Sequence, residues 1–315
     1  MYYCVSLYSY LIVKLKILCM FNFNKCSIVY FLFKLGFVIG SVVFFLLLVY
    51  LFKVYKARTF DWRLSSDIHT LFLGASQPER AVDPSSWPNS INLSAPSECY
   101  MFTFLKLKKI LECNEQIDTV FLQFAPLDVR ENADEPYFSI NAMKRFIPIY
   151  SPFFSLEEMK VYCSYSSIKS VLFAHVSKIY LGIPTGIRTY GHFTAINDKK
   201  FDRNHRYRNP LLNLNNGGEG NKINLLYLNK IVDLCLKYKC KLYFVYYPVF
   251  APEEYYDQSF FRKVYKEQFN TIELLDFNDF NIPDSLRADE HHLNAEGAIY
   301  FTNYFYKKMH PKERN

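Results

Sequence analysis

The most informative stretch of the sequence is Leu71-Phe72-Leu73-Gly74-Ala75-Ser76-Gln77-Pro78. Apolar residues that run into a Gly-Ala-Ser turn predict a buried strand over residues 69–73 and a sharp change of direction after it. Reactive groups collect at the carboxyl ends of the strands in an open α/β sheet. Ser76 is therefore a candidate nucleophile, and the alternative is that it serves as the N-cap of a following helix.

Strands and helices alternate along the rest of the chain. Short apolar runs predict further strands at residues 119–124, 242–247 and 272–277. Apolar residues at helical spacing predict helices over residues 98–113, 225–236 and 298–309. This order predicts an α/β fold with a doubly wound parallel sheet.

Composition divides the chain into four parts. We predict an N-terminal extension at residues 1–34, a transmembrane helix at 35–52, a polar stalk at 53–67 and one α/β domain at 68–315. Residues 130–221 are rich in Tyr, Ser, Asn and Pro and do not fit the alternation. They are predicted to form a central insertion, which ends in a flexible glycine-rich connection at residues 215–220.

The predicted membrane anchor is a run of 18 predominantly apolar residues, 35–52, between Lys34 and Lys53. At about 1.5 Å per residue it spans roughly 27 Å, and the flanking lysines can snorkel across the remainder of a bilayer core. A cleaved signal peptide is the alternative, but the segment is long for one and lacks a convincing small-x-small site after it. Four basic residues precede the run and four follow it, so the positive-inside rule does not set its orientation.

The net charge of +7 is explained by the anchor rather than by nucleic-acid binding. Basic residues beside a membrane span interact with lipid headgroups, and here they account for the whole excess. They are Lys14, Lys16, Lys25, Lys34, Lys53, Lys56, Arg58 and Arg63. No nucleic-acid motif accompanies them, so the expected partner is the lipid bilayer and not a nucleic acid.

The cysteines and histidines do not predict a metal centre. Eight cysteines are present without a C-x-x-C pair, and most are interpreted as small core residues. His69, His175, His192 and His310 have no partners at metal-ligand spacing. No glycine-rich phosphate loop follows any predicted strand. We therefore expect neither a metal nor another cofactor.

The last predicted helix is preceded by a second block, Asp289-Glu290-His291-His292-Leu293-Asn294-Ala295-Glu296-Gly297. An Asp three residues before a His can hold the imidazole through its Nδ1 proton and leave Nε2 free as a general base. His292 is predicted to point inward and His291 toward solvent, because Leu293 and the helix after it must pack. Asn294 is a candidate N-cap for that helix.

Together, the two blocks resemble the SGNH (GDSL-like) hydrolase superfamily, in particular its membrane-anchored branch in bacterial envelope polysaccharide systems. The resemblance implies a flavodoxin-like α/β fold, with Ser76 as nucleophile, His292 as base and Asp289 as the acid that orients the base. The match continues through Leu293, Asn294 and Gly297. This continuation also favours His292 as the base. The resemblance covers most of residues 68–308 apart from the central insertion.

The sequence departs from the family pattern at three positions. Ala75 replaces the aspartate of the family's Gly-Asp-Ser, a residue that usually supports the turn. Residues 91–94 resemble the segment that contributes to the oxyanion hole, but no clear glycine follows there. No clear asparagine ends the strand at residues 121–126, where Gln123 is the candidate replacement donor.

The expected function is that of a serine esterase or O-acyltransferase acting on a cell-envelope glycan or a similar ester. Such a substrate implies a domain on the outer, periplasmic side of the cell membrane. The basic loop at residues 199–208 is a candidate for gripping an anionic glycan, with Tyr207 stacking on a sugar, or else a solvated loop. The main alternative is a non-catalytic glycan-binding or assembly factor of the same fold. A phosphate or nucleotide binder with an unrelated doubly wound fold is a further alternative.

Overall fold

The computed structural model describes residues 28–129, 140–165, 184–197, 201, 222–250 and 258–311. Several predicted features lie outside these residues. They are residues 1–27 of the N-terminal extension, the glycine-rich connection at 215–220, His175, and the basic loop at 199–208 apart from Phe201. The chain divides into two compact units, residues 1–52 and residues 53–315.

Near the N-terminus lies the long helix α1 (Ile28–Arg58), which extends beyond the predicted span at both ends. Within its segment Tyr30–Arg58, the 18-residue apolar window has a mean hydropathy of 2.7, and none of that window is buried. Large side chains such as Phe33 and Phe37 are each 71% exposed. Within the part of the chain that the structure describes, α1 is the one helix long and apolar enough to cross a membrane.

We expect the full-length chain to sediment with membranes and to resist extraction by carbonate, because α1 binds lipid by apolar burial rather than by charge. The double variant Phe44→Arg/Leu47→Arg places two charges near the middle of the helix, each costing about 2.5–3.5 kcal/mol in a bilayer. This variant should be recovered in the carbonate supernatant rather than in the membrane pellet. The charge-matched variant Tyr55→Arg/Thr59→Arg, at the polar end, should stay with the membrane. Release of the wild-type chain by salt would contradict a spanning helix.

Five parallel strands form the sheet of the second unit. They are β1 (Thr70–Leu73), β2 (Ser90–Asn92), β3 (Thr119–Gln123), β4 (Lys241–Tyr246) and β5 (Glu273–Asp276). The strand order is β2-β1-β3-β4-β5, and every neighbouring pair is parallel. From β1 the chain moves outward to β2 and then returns past β1 to β3. The order therefore reverses between β1 and β3, and their carboxyl ends border the crevice where open α/β sheets bind ligands.

Helices connect the strands in the part of the chain that the structure describes. They are α2 (Ser76–Ala81), α3 (Tyr100–Cys113), α4 (Pro126–Val129), α5 (Ile140–Tyr150), α6 (Leu156–Tyr165), α7 (Lys222–Tyr238), α8 (Gln258–Gln268) and α9 (Ala295–Met309). The predicted helices at residues 98–113, 225–236 and 298–309 correspond to α3, α7 and α9. Helix α8 was not predicted, because it is mostly polar and buries only Phe261 and Val264.

Apolar side chains cover both faces of the sheet. Successive strand residues point to opposite faces, so Leu71 and Leu73 of β1 join one core cluster and Phe72 joins the other. In the second cluster, Phe72 stacks on Phe121 of β3 at a ring distance of 5.0 Å, and Phe305 of α9 packs edge-on against both rings. Burial on both faces explains why the central strands are continuous apolar runs rather than alternating ones.

Part of the segment predicted as a polar stalk packs on the α/β unit. Helix α1 ends at Arg58, and Trp62 just beyond it is 4% exposed in the core. The Asn114 side chain donates to the Trp62 carbonyl at 2.8 Å and accepts from the Leu64 amide at 2.7 Å. Phe60 also packs here, with its ring 5.2 Å from that of Trp62, and the polar composition of residues 53–67 gives no sign of this aromatic contact.

Candidate active site

The Gly-Ala-Ser turn places Ser76 at the carboxyl end of β1, as the first residue of α2. Gly74 has a φ of +143°, and a Cβ there would lie 2.4 Å from the Cβ of Gln123, so this turn requires glycine. Ala75, and not Ser76, occupies the N-cap position of α2. The Ser76 hydroxyl is therefore not a helix cap, which was the alternative interpretation of this residue.

The second block forms a tight turn before α9. Arg287 and Leu293 form an antiparallel bridge across its base, and the Ala288 amide donates to the His292 carbonyl at 2.9 Å. Asn294 caps α9 as predicted, because its side chain accepts from the Gly297 amide at 2.9 Å. A Cβ on Gly297 would lie 2.0 Å from the Leu286 carbonyl oxygen, so glycine allows the helix to approach the turn closely.

A chain of hydrogen bonds joins the two blocks. Ser76 Oγ lies 2.9 Å from Nε2 of His292, although the two residues are 216 positions apart. His292 Nδ1 lies 2.9 Å and 3.0 Å from the two carboxylate oxygens of Asp289. An ionised carboxylate only accepts, so Nδ1 carries the proton and Nε2 is left to accept from the serine hydroxyl. The imidazole is 23% exposed, and Ser76 is itself partly exposed.

Asp289 is held in its charged form. Partial burial raises its pKa, but the hydrogen bond and charge of His292 and the amide of His291 outweigh burial and bring the pKa to about 2. The Asp289 carboxylate accepts from the backbone amides of His291 and His292 at 2.8 Å and 2.9 Å. The ionised carboxylate therefore favours the folded turn above its ordinary pKa of 3.8, and this contribution is lost as the pH falls through about 2.

The structure brings His292, and not its neighbour His291, to the serine. The His291 and His292 ring centroids are 6.3 Å apart. Burial, followed by the charge of His292, lowers the pKa of His291, which favours its neutral form. Contrary to the sequence-based expectation, the His291 side chain is partly buried rather than exposed to solvent.

Gln123 has a different role from the one predicted for it. Its carboxamide oxygen accepts from the Ala75 amide at 3.0 Å, and its nitrogen donates to the Asp128 carboxylate at 2.9 Å and 3.1 Å. Gln123 is 3% exposed. The side chain thus holds the Gly-Ala-Ser turn onto β3 and is not free to donate to a ligand oxyanion. The prediction was wrong because Asp128 accepts the hydrogen bonds of the Gln123 carboxamide nitrogen.

The segment after β2 also forms hydrogen bonds that hold the Gly-Ala-Ser turn in place. Asn92, which lies in β2 itself, donates to the carbonyls of Pro78 in α2 and of Val82 just after it, at 2.7 Å and 2.8 Å, and accepts from the Ser94 amide at 3.0 Å. The Ala95 amide donates to the Gly74 carbonyl at 3.0 Å. The Ser76 amide, at the first position of α2, has no acceptor within its own helix. It is the candidate donor to an oxyanion at this site.

A cavity of about 340 Å³ borders the same turn. Glu79, one helical turn after Ser76, lines it together with residues 94–96 of the loop after β2. Its opposite wall comes from Arg145 of α5 and from residues 188–192. Sequence analysis missed this cavity, because its outer wall belongs to the central insertion, where no motif marks the residues.

No protein-family model matches this chain, and no curated protein matches it significantly. The chemical interpretation therefore rests on the geometry of Ser76, His292 and Asp289.

Proposed function

We propose that the chain is a membrane-anchored serine esterase or O-acyltransferase acting on a cell-envelope glycan or a similar ester. The observation that carries the proposal is the 2.9 Å contact between Ser76 Oγ and His292 Nε2, with Asp289 bound to the other ring nitrogen. A hydroxyl, a base and an acid that orients the base form the constellation for nucleophilic acyl transfer.

Each residue has one task in the proposed reaction. His292 takes the proton from Ser76 as Oγ attacks the ester carbonyl, and Asp289 stabilises the imidazolium that forms. The Ser76 amide donates to the oxyanion of the tetrahedral intermediate. His292 then protonates the departing alcohol, which leaves an acyl group on Ser76. Water completes an esterase cycle, whereas a sugar hydroxyl completes an acyl transfer, and in both cases His292 removes the proton of the incoming hydroxyl.

The proposal extends to the fold, which we infer to be the doubly wound arrangement of the SGNH-like hydrolases. The reversal of strand order between β1 and β3 supports this, because Ser76 follows β1 directly. The Asp-x-x-His turn before the last helix also supports it. In that fold the nucleophile follows the first strand and the base precedes the last helix.

A non-catalytic glycan-binding or assembly factor is the second candidate. The engagement of Gln123 and of the Ser94 and Ala95 amides favours it, because these groups hold the turn instead of facing an oxyanion. Loss of one such donor typically lowers the rate about a hundredfold or more. An enzyme with this site would therefore be slow.

Labelling of the full-length chain with a fluorophosphonate probe tests the proposal. The probe phosphonylates an activated serine, so we expect the wild type to be labelled and Ser76→Ala to lose the label. Removal of the base in His292→Ala should weaken labelling strongly. Ser85→Ala, which changes an exposed serine elsewhere, should label like the wild type. A wild-type chain that takes no label would favour the glycan-binding alternative.

We also propose that the α/β unit lies on the outer side of the cell membrane, where an envelope glycan would be accessible. A C-terminal alkaline phosphatase fusion should then be active, because that enzyme needs an oxidising compartment for its disulfides. A green fluorescent protein fusion at the same position should be dark. The reverse pattern would exclude an envelope glycan, although an esterase facing the cytosol would remain.

A further inference from the structure

The cavity beside the Ser76 turn has a rigid wall. Gly191 has a φ of +137°, and a Cβ there would lie 2.2 Å from the Leu93 carbonyl oxygen. The His192 amide donates to the Ser94 carbonyl at 3.1 Å. Beneath this contact, the fully buried ammonium of Lys106 donates to the carbonyls of Leu93 and Tyr190. Residues 188–192 are thereby fastened to the loop after β2, so the cavity is formed before any ligand arrives.

The charge of the cavity is positive. Arg145 and Arg188 line it with exposed side chains, and neither forms an ion pair with a carboxylate in the described residues. Glu79, the acidic residue of the lining, is 4% exposed, and its carboxylate lies 3.4 Å from Nε of Arg80, with Arg145 as a weaker electrostatic partner. Arg145 also donates to the Pro96 carbonyl at 3.4 Å. Arg188 and the remaining donors of Arg145 can bind an anion, and guanidinium geometry suits carboxylate and phosphate groups.

The rest of the lining combines buried aromatic residues with more exposed polar ones. Phe146, Tyr150 and Tyr190 are each 1–2% exposed, whereas Thr189 is partly exposed and His192 is exposed. The volume of about 340 Å³ falls at the lower end of the range for small-ligand sites, about 300–1,000 Å³. Glu79 follows Ser76 by three residues, so the short helix α2 joins the lining of the cavity to the proposed nucleophile.

We propose that this cavity binds an anionic sugar unit of the substrate, bearing a carboxylate or a phosphate, through Arg145 and Arg188. The inference rests on the proposed function and names its substrate class, an acidic glycan esterified close to the charged unit. Binding itself does not require Ser76 to react. It can therefore be tested separately from catalysis.

Ligand-observed NMR titration of the full-length chain in detergent tests the cavity with three probes: glucuronic acid, glucose 6-phosphate and glucose. At least one anionic sugar should bind about tenfold or more tightly than glucose, and the stronger of the two identifies the charged group. Arg145→Gln and Arg188→Gln should each reduce this preference, and the double variant should abolish it. Both arginines are exposed, so these variants should fold.

The charge-matched control is Lys108→Gln/Lys237→Gln, which removes two cations from a separate surface cavity lined by α3 and α7. It should keep the preference of the wild type, as should Ser76→Ala. Equal affinity for all three sugars, absence of binding, or a preference that survives the double arginine variant would each overturn the inference. If the chain is labelled by fluorophosphonate but shows no preference for anionic sugars, the esterase proposal stands and the cavity inference fails. If it prefers anionic sugars but is not labelled, only the binding site is supported.

Discussion

Replacing Ser76 or His292 with alanine is expected to reduce ester turnover by about a thousandfold or more, and the double variant should be little worse than either single one. The serine hydroxyl is a weak nucleophile until His292 removes its proton, so loss of one member makes the other useless. Turnover of an activated acetate ester, measured on equal amounts of folded protein, checks the expectation. His291→Ala is the matched control and should stay within a fewfold of the wild type, because its ring does not reach the serine.

Asp289→Asn should retain partial activity. The amide oxygen can still accept from the backbone of the turn, but the amide nitrogen would face the Nδ1 proton of His292 and favour the wrong tautomer. The base is misoriented rather than deleted, so the loss should be smaller than that from His292→Ala. Independent, additive losses from Ser76 and His292, or a larger loss from His291 than from His292, would be incompatible with the proposed roles.

Replacing Lys106 with methionine is expected to lower the free energy of unfolding by about 3–5 kcal/mol. The Lys106 and Glu98 side chains are both fully buried, and their charged atoms lie 2.8 Å apart. Burial lowers the pKa of Lys106 and raises that of Glu98, while each partner opposes the shift of the other. Without the ammonium, Glu98 is left as an unpaired buried acid, and the Leu93 and Tyr190 carbonyls lose a donor.

Urea titration of the full-length chain, followed by tryptophan fluorescence, measures this loss. Trp62 reports on the affected region, because its ring lies 4.3 Å from that of Tyr190. Lys109→Met is the matched control: it removes a partly exposed pair with Glu112 on the same helix and should cost at most about 1 kcal/mol. The double variant Glu98→Gln/Lys106→Met should recover part of the stability. Equal effects of Lys106→Met and Lys109→Met would contradict the importance of the buried pair.

Features that depend on neighbours along the chain were predictable. Asp289 and His292 are three residues apart, so the turn that joins them is specified locally, and Asn294 caps α9 by the same local logic. The apolar composition of α1 follows directly from the sequence. The central strands were predictable as well, because a strand buried on both faces is a continuous apolar run. The short strand β2 and the polar helix α8 contain too few apolar residues to be predicted from the sequence.

Features that depend on distant groups were not predictable. Gln123 matched the position of a possible oxyanion donor, but its carboxamide bonds to Ala75, 48 residues away, and to Asp128. The cavity is assembled from the loop after β2, α5 and residues 188–192, which no local pattern links.

The sequence alone determined that an apolar helix precedes an α/β unit, and that a serine and an Asp-x-x-His turn flank that unit, because these properties reside in composition and short spacings. Only the tertiary structure decided which of these groups meet. Lys106 shows the reason most plainly. On an isolated helix its ammonium would be solvated by water. In the folded chain the ammonium is buried because Glu98 and the carbonyls of Leu93 and Tyr190 converge on it. Such convergence is a property of packing, which brings together groups that the chain order keeps apart.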